Sequence, residues 1–338
     1  MKKVLVTGGC GYIGSHTVVD LLNNGFDVIS VDNYLNSSPG ALDQIFQITG
    51  KKVHNYEVDL CDAAATRLIF EEHPDLAGVI HFAALKAVGE SVEKPLWYFR
   101  NNLDSLLNIL ECVRDFKVPG FIFSSSCSVY GNSKQLPVTE DTPFEEAEST
   151  YARTKQMGEH IVQDTCRAYK AIQAILLRYF NPAGAHESGL MGESPTYNAS
   201  NLVPVITETA IGKRREVVVF GDDYPTRDGS AVRDYIHVMD LAHAHTLSLQ
   251  YALGKSSNDN CEVFNLGIGT GVTVLEAIHA FERSSGQQLN YRIGPRRPGD
   301  VIAIYANNDK AARLLGWQPT RKIDDIMRTA WAWEQVRG

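Results

Sequence analysis

Two patterns alternate over the first half of the chain. Short β-branched runs read as buried strands: Lys3 to Thr7, Asp27 to Val31, Lys52 to Val58, Gly78 to Phe82, Gly120 to Ser124 and Ala174 to Phe180. Between them, apolar residues recur every three or four positions. Val18, Leu21 and Leu22 follow the first run, and further helices are expected over Ala63 to His73, Trp97 to Phe116 and Tyr151 toward Tyr169. Strands alternating with helices predict an α/β fold built on a doubly wound parallel sheet with crossover helices. From Gly184 the alternation loosens into glycine- and proline-containing segments, with turns expected over Gly221 to Pro225 and Arg227 to Gly229.

The first strand leads into Gly8-Gly9-Cys10-Gly11-Tyr12-Ile13-Gly14, and a helix follows. Glycines let the backbone turn sharply and approach a pyrophosphate, while the helix start offers unpaired amides and a positive dipole end. The second strand ends at Asp32, where a carboxylate accepts from adenosine ribose hydroxyls. Its charge repels a 2′-phosphate, and Asn33 beside it supplies no cation, so NAD is expected rather than NADP. The sheet is thus of Rossmann type. A dinucleotide-binding part is expected over residues 1–183, completed by segments within about 230–268. A smaller, interleaved α/β substrate-binding part is expected mainly over 184–338.

Composition narrows the partners. A net charge of −8 over 338 residues argues against a nucleic-acid surface, although a diphosphate needs only a few local cations. The six cysteines, Cys10, Cys61, Cys112, Cys127, Cys166 and Cys261, have no paired spacing and read as reduced thiols rather than metal ligands. A strand begins almost at the first residue, no leader precedes it, and no apolar run approaches a membrane span. The expectation is a cytoplasmic protein without a membrane segment.

Candidate chemistry gathers at expected strand ends. Tyr151 and Lys155, four apart on a helix, share a face, and a cation near a phenol favours the phenolate a base needs. The pair alone also fits ordinary packing. Ser124, Ser125, Ser126 and Ser128 place hydroxyls at one strand end, and the small residues Ala83 and Ala84 at another admit a flat cofactor. Without further context, Arg297 reads equally as an exposed basic turn, Arg233 as half of a surface pair with Asp234, and Phe220 as core.

Taken with those motifs, four longer segments make the chain resemble the extended short-chain dehydrogenase/reductase family, in its branch acting at position 4 of UDP-hexoses. They are His81 to Ser91, Arg178-Tyr179-Phe180-Asn181-Pro182, Gly221 to Thr226, and Val232 to Val238. The resemblance implies an NAD-containing isomerase that interconverts UDP-galactose and UDP-glucose through a transient 4-keto sugar, usually as a homodimer. It implies that Gly8, Gly11, Tyr12, Ile13 and Gly14 hold the pyrophosphate, and that Asp32, Asn33, Asn36 and Ser37 address the adenosine ribose. Asp59 and Leu60 flank the adenine. Phe82, Ala83, Ala84, Lys86, Asn101 and Ser124 line the path to the nicotinamide, over which Tyr179 closes. Tyr151, Lys155 and Ser126 are the implied catalytic group, with Lys155 also bonding the nicotinamide ribose. Ser126, Tyr151, Lys86, Phe180, Asn181, Asn201 and Leu202 are implied to meet the sugar and phosphates; Arg233 and Arg297 neutralise the diphosphate. Phe220 packs on uracil, Asp300 reaches its ribose, and Ile304, of intermediate bulk, leaves acceptance of an N-acetyl group open. A dehydratase of the same family would carry a Glu or an acidic pair at Cys127 and Ser128, which are not acidic.

Overall fold

The computed structural model describes residues 1–195, 199–254, 259–297 and 301–337. The first part runs β1 (Lys3–Thr7), α1 (Tyr12–Asn23), β2 (Asp27–Val31), α2 (Gly40–Thr49), β3 (His54–Tyr56), α3 (Ala63–Glu72) and β4 (Leu76–His81). Then come α4 (Val88–Glu93), α5 (Pro95–Phe99), α6 (Ser105–Asp115), β5 (Gly120–Ser126), α7 (Thr150–Ala168), β6 (Gln173–Tyr179), β7 (Asn181–Ala183), α8 (Leu202–Ala210) and β8 (Val217–Phe220). The chain closes with β9 (Val232–Arg233), β10 (Tyr235–His237), α9 (Val238–Gly254), β11 (Cys261–Leu266), β12 (Val272–Thr273), α10 (Val274–Ser285), β13 (Tyr291–Gly294), β14 (Ala303–Ile304), α11 (Asp309–Leu315) and α12 (Ile323–Arg337).

Seven parallel strands form the central sheet in the order β11-β6-β5-β4-β1-β2-β3. The order reverses direction about β1 and β4, where open α/β sheets leave a crevice at the strand ends. Alternation along the strands feeds two cores. Val4, Val6, Ile80, Ile122, Ile175 and Leu177 pack with α1 and α9 on one face. Leu5, Val79, Phe121, Phe123 and Leu176 pack with the α3, α6 and α7 side on the other. Burying a side chain such as Phe121 stabilises the fold by about 2–3 kcal/mol. A third core joins α8, α10 and α12 around Ile206, Phe281 and Met327.

Several element boundaries differ from the sequence expectation. The stretch Trp97 to Phe116 is two helices, interrupted by a wide i→i+5 turn over Arg100–Asp104. In the middle of that turn the Asn102 side chain bonds both N–H and C=O of Leu85 and donates to Thr154 Oγ1 at 3.1 Å, tying the turn to its neighbours. The third strand shrinks to three residues at the sheet edge. Phe82 and Phe180 fall just outside β4 and β6, while β5 extends through Ser126 because it stays paired with β6 as far as Ser126 opposite Tyr179.

Residues after β6 return to the sheet. β7 pairs with β10, and β11 adds the last strand beside β6. Asp234, between β9 and β10, is fully buried and accepts from the backbone N–H groups of Ile268, Gly269 and Ala306. The surface Arg233–Asp234 pair that the sequence allows is therefore absent: the aspartate is an internal clamp. Arg233 instead donates to the carbonyls of Val232 and Val301 at 2.8 and 2.9 Å.

Candidate active site

The glycine turn has no room for side chains. A Cβ on Gly14 would lie 2.1 Å from the Gly8 carbonyl oxygen, and one on Gly8, at φ 67°, would lie 3.0 Å from the Ala83 nitrogen. The turn is thus pressed against its own helix and the end of β4, and no side chain caps α1 at Gly11. Tyr12 and Ile13 open that helix, so the amides and dipole of its first turn face the crevice. Asp32 ends β2 beside the turn. Its carboxylate accepts from Cys10 N at 3.0 Å, Tyr34 N at 3.0 Å and Ser37 Oγ at 2.6 Å, which fixes both oxygens in place. Asn33 accepts from Leu35 N in the same loop, before Asn36. Asp59 accepts from Cys61 N, and Leu60 is buried with its carbonyl bonded by Asn108. These residues gather at the ends of β1, β2 and β3, with the anion-favouring helix start that a dinucleotide requires.

On the other side of the crevice, the Phe82 ring meets His245 at a tilt of 49°, centroids 4.6 Å apart, and Ala83 N donates to Thr7 Oγ1. Asn101 donates to Asn102, which ties this loop to α7. Lys86 points outward and bonds Glu193 at 3.5 Å, and Asn201 donates to the same carboxylate at 2.9 Å.

Ser149 starts α7 by accepting from Ala152 N, a cap worth about 1 kcal/mol. Two residues later Tyr151 and Lys155 present their polar ends to the tip of β5. Lys155 Nζ donates to the Ser124 carbonyl oxygen at 2.6 Å and lies 5.9 Å from the centre of the Tyr151 ring. The Tyr151 phenol lies beside the Ser126 hydroxyl. Ser126 Oγ also accepts from Ser128 N, starting the tight turn Cys127–Tyr130. Tyr179, opposite Ser126 in the sheet register, shares a hydrogen bond with Ser124 Oγ.

The electrostatics of this group are incomplete in the chain alone. Burial pushes the Tyr151 phenol up to about 12, and the Ser126 hydroxyl only partly opposes that. Burial pulls the Lys155 ammonium down to about 8, and the Glu159 carboxylate holds it up. At neutral pH the site therefore carries a neutral phenol and a cation, so a working base needs one more positive charge near the phenol. A nicotinium ring lying in the crevice provides a charge of that sign.

Beyond the serines, Phe180 and Ile304 are buried together with Val129, Tyr130 and Val138 in a small apolar cluster. Ile304 pairs with Arg233 across β14 and β9. Asn181 begins β7. Its Oδ1 and the Ser128 hydroxyl are buried without a hydrogen-bond partner among the described residues, as expected of a site awaiting a polar ligand. Leu202 opens α8 next to Asn201. Phe220 ends β8, and the exposed Arg297 guanidinium lies over its ring at 4.4 Å. Asp300 falls outside the described residues.

Sequence reading missed three contributors. Glu193 collects Lys86 and Asn201, but nothing local in the sequence marks it. Tyr98, fully buried, donates to Glu90 and accepts from Ala87 N, fixing the loop before α4. Glu159 sits one turn past Lys155 on the same stripe of α7, and helical spacing could have found it.

Residues 5–330 match the family model described as GDP-mannose 4,6 dehydratase. The chain is 46% identical to the UDP-glucose 4-epimerase of Bacillus subtilis, covering 98% of this chain and 96% of that protein. It is 45% identical to the mouse (Mus musculus) UDP-glucose 4-epimerase over 99% of this chain and 97% of that one. Among solved structures, the UDP-glucose 4-epimerase from Bifidobacterium longum in complex with NAD+ and UDP superposes with a TM-score of 0.94 at 48% identity, covering 99% and 98% of the two chains. The crystallised enzyme from Stenotrophomonas maltophila, with bound NAD and formylated UDP-arabinopyranose, gives a TM-score of 0.96 at 42% identity over 100% and 99%. A Rossmann sheet with this glycine turn and this Tyr-Ser-Lys group, in a chain nearly half identical to such proteins along its whole length, belongs to the UDP-glucose 4-epimerase family of extended short-chain dehydrogenase/reductases.

Proposed function

We infer that the chain inverts position 4 of UDP-galactose and UDP-glucose reversibly, with NAD as a resident cofactor. The observation that carries this reading is the convergence of Tyr151, Ser126 and Lys155 at the end of β5, beside a glycine turn and Asp32 built for a dinucleotide. NAD, when bound, accepts a hydride from the sugar and returns it.

The chain's own residues supply the rest. The Tyr151 oxygen takes the proton of the 4-hydroxyl, directly or through Ser126, and returns one when the 4-keto sugar is reduced on its opposite face. Lys155, held on the Ser124 carbonyl, contributes a fixed positive charge behind the phenol and can reach the nicotinamide ribose. Gly8, Gly11, Tyr12, Ile13 and Gly14 would hold the pyrophosphate, with Asp32, Asn33, Asn36 and Ser37 at the adenosine ribose and Asp59 and Leu60 at the adenine. Arg233 and Arg297 would neutralise the diphosphate and Phe220 would stack on uracil, while Phe180, Asn181, Asn201 and Leu202 contact sugar and phosphates. A strong UDP anchor with a roomier hexose pocket lets the keto sugar turn over without leaving. On this reading residues 1–183 and about 230–268 form the cofactor part, and the remainder of 184–338 chiefly the substrate part.

The dehydratase named by the family model begins with the same oxidation but must then remove a proton at position 5 and expel water at position 6. Cys127 and Ser128, in the turn after Ser126, carry no carboxylate for that step. We also propose a homodimer. Exposed Val88, Val92, Leu96 and Trp97 on α4 and α5 and Met157 on α7, which those helices contact, form an apolar surface suited to a second copy. A cytoplasmic location is supported by six free thiols, and no helix among the described residues is long and apolar enough to cross a membrane. The deciding experiment gives purified protein UDP-galactose while bound NAD is followed spectroscopically. UDP-glucose at equilibrium without added NAD supports the reading, and a 4-keto-6-deoxy product overturns it in favour of dehydration.

A further inference from the structure

Behind the catalytic group lies a second pair of charges that the reaction itself does not use. Glu159 is fully buried on α7, one turn beyond Lys155, and Arg178 is buried on β6. They form a two-point ion pair: Arg178 Nε to Glu159 Oε1 at 2.9 Å and Nη2 to Oε2 at 2.7 Å. The Ser125 hydroxyl donates to the same Oε1. Arg178 Nη1 reaches the Tyr130 hydroxyl at 3.0 Å and the Glu140 carbonyl at 3.1 Å, and the Tyr130 hydroxyl passes on to Asn265 Oδ1 at 2.6 Å.

Sheet register gives this pair its leverage. Ser125 stands opposite Arg178 and points to the α7 face, between Ser124, whose carbonyl receives Lys155, and Ser126, which lies beside Tyr151. The network therefore grips the middle of the serine strand end from the helix that carries Tyr151 and Lys155. A buried ion pair is a poor source of net stability, since apolar residues of similar volume often do as well. Its place beneath the two catalytic side chains is what stability alone leaves unaccounted for.

We propose that Glu159 and Arg178 are positioning residues for the reaction: through Ser125 they hold Ser124 and Ser126 in register with Tyr151 and Lys155. The assignment rests on the epimerase reading for its kinetic consequence only. Lys155 faces Tyr151 and Glu159 on its own helix, Phe123 from β5 and His81 from β4; Tyr98, Cys127 and Tyr179 lie around Tyr151, and Arg178 is taken up by Glu159. Burial keeps His81, down at about 3, and Tyr179, raised, uncharged at neutral pH. Glu159 is then the anion that supports the ammonium.

The test compares Glu159→Gln with the double variant Glu159→Gln/Arg178→Gln, in which no unpaired charge is left buried. In Glu159→Gln the alkaline limb of kcat for UDP-galactose is expected to move about one pH unit toward acid, because Lys155 loses its proton earlier; in the double variant loss of the Arg178 cation offsets part of this, and a smaller shift of the same sign is expected. The Lys155 titration midpoint, read by NMR of lysine-labelled protein and assigned with Lys155→Met, is expected to move the same way without any turnover. The single variant is expected to lose melting temperature and the double variant to regain it. A folded Glu159→Gln with an unmoved Lys155 midpoint, or a double variant with restored melting temperature and wild-type kcat, overturns the proposal and leaves the pair a structural one. If wild-type protein fails to convert UDP-galactose, the epimerase reading falls while the NMR comparison still decides the role of Glu159.

Discussion

The ammonium of Lys155 is bound to the Ser124 carbonyl at 2.6 Å, so it reaches the Tyr151 phenol through space and not by a direct hydrogen bond. Lys155 is in this way a fixed charge whose position the strand end sets. Ser126 is the hydroxyl beside the phenol, and on the proposed mechanism the Tyr151 oxygen is the group that moves the proton.

Tyr151→Phe removes that oxygen and little else. Conversion of UDP-galactose is expected to drop roughly 10²–10⁴-fold, the usual scale for losing a general base. Circular dichroism and bound NAD should stay as in the wild type. Full activity in this variant would sink the mechanism.

Gly14→Ala forces a methyl carbon to within 2.1 Å of the Gly8 carbonyl, where both partners are backbone and cannot rotate away. The turn must open, and the protein is expected to lose about 1–3 kcal/mol of stability and to purify with much less NAD. Chemical denaturation and the nucleotide content of the purified protein measure the two effects.

Ile304 is 6% exposed and packs in the cluster with Phe180. Its bulk is expected to favour the non-acetylated sugars, and Ile304→Ala should raise turnover of UDP-GlcNAc relative to UDP-glucose at a stability loss of about 2–4 kcal/mol. Equal rates on the two sugars in the wild type would refute the preference.

Leu96 is 82% exposed on α5. An exposed leucine changed to glutamate does little to a monomer, but it puts a charge into an apolar interface. Leu96→Glu is expected to shift sedimentation from dimer to monomer while leaving the melting curve of the monomer unchanged. If the wild type already sediments as a monomer, the dimer proposal is wrong.

Four buried histidines set the acid side of stability. Burial pulls His16 and His245 down to about 4 and His81 and His237 to about 3. Their folded pKa values lie below the unfolded 6.5, so the unfolded chain binds more protons between the two. The stability that these neutral rings contribute is thus present above pH 6.5 and is lost progressively as pH falls toward 4 and 3. Near pH 5.5 unfolding should take up about three to four protons from this group. Urea melts at half-unit pH steps between 7 and 5 read the slope, and a flat profile would contradict the assignment.

Much of this was legible before any coordinates. Short β-branched runs located six of the seven strands of the sheet, and four-residue spacing put Tyr151 and Lys155 on one face. Other features depend on contacts that no local pattern records. Asn102 sits in the turn that interrupts an otherwise continuous helical stretch, and its side chain bonds Leu85 and Thr154, which are distant in sequence. Asp234 reads as a surface charge beside Arg233 until Ile268, Gly269 and Ala306 are brought over it by the fold. β11 escaped notice as an individual strand because its polar Cys261-Glu262 start lies at the sheet edge, where burial is incomplete.

That late strand has a consequence for biosynthesis. β6, which carries Arg178 and Tyr179, borders β5 on one side, and its other side is covered only by Cys261–Leu266. A ribosome-bound chain must emit the whole intervening stretch, including β7 to α9, before that edge can close. Until then the nascent sheet exposes a row of unpaired backbone groups next to its reactive centre, a template for pairing with a neighbouring chain. Chains cut before Cys261 are accordingly expected to aggregate rather than accumulate as a free nucleotide-binding fragment.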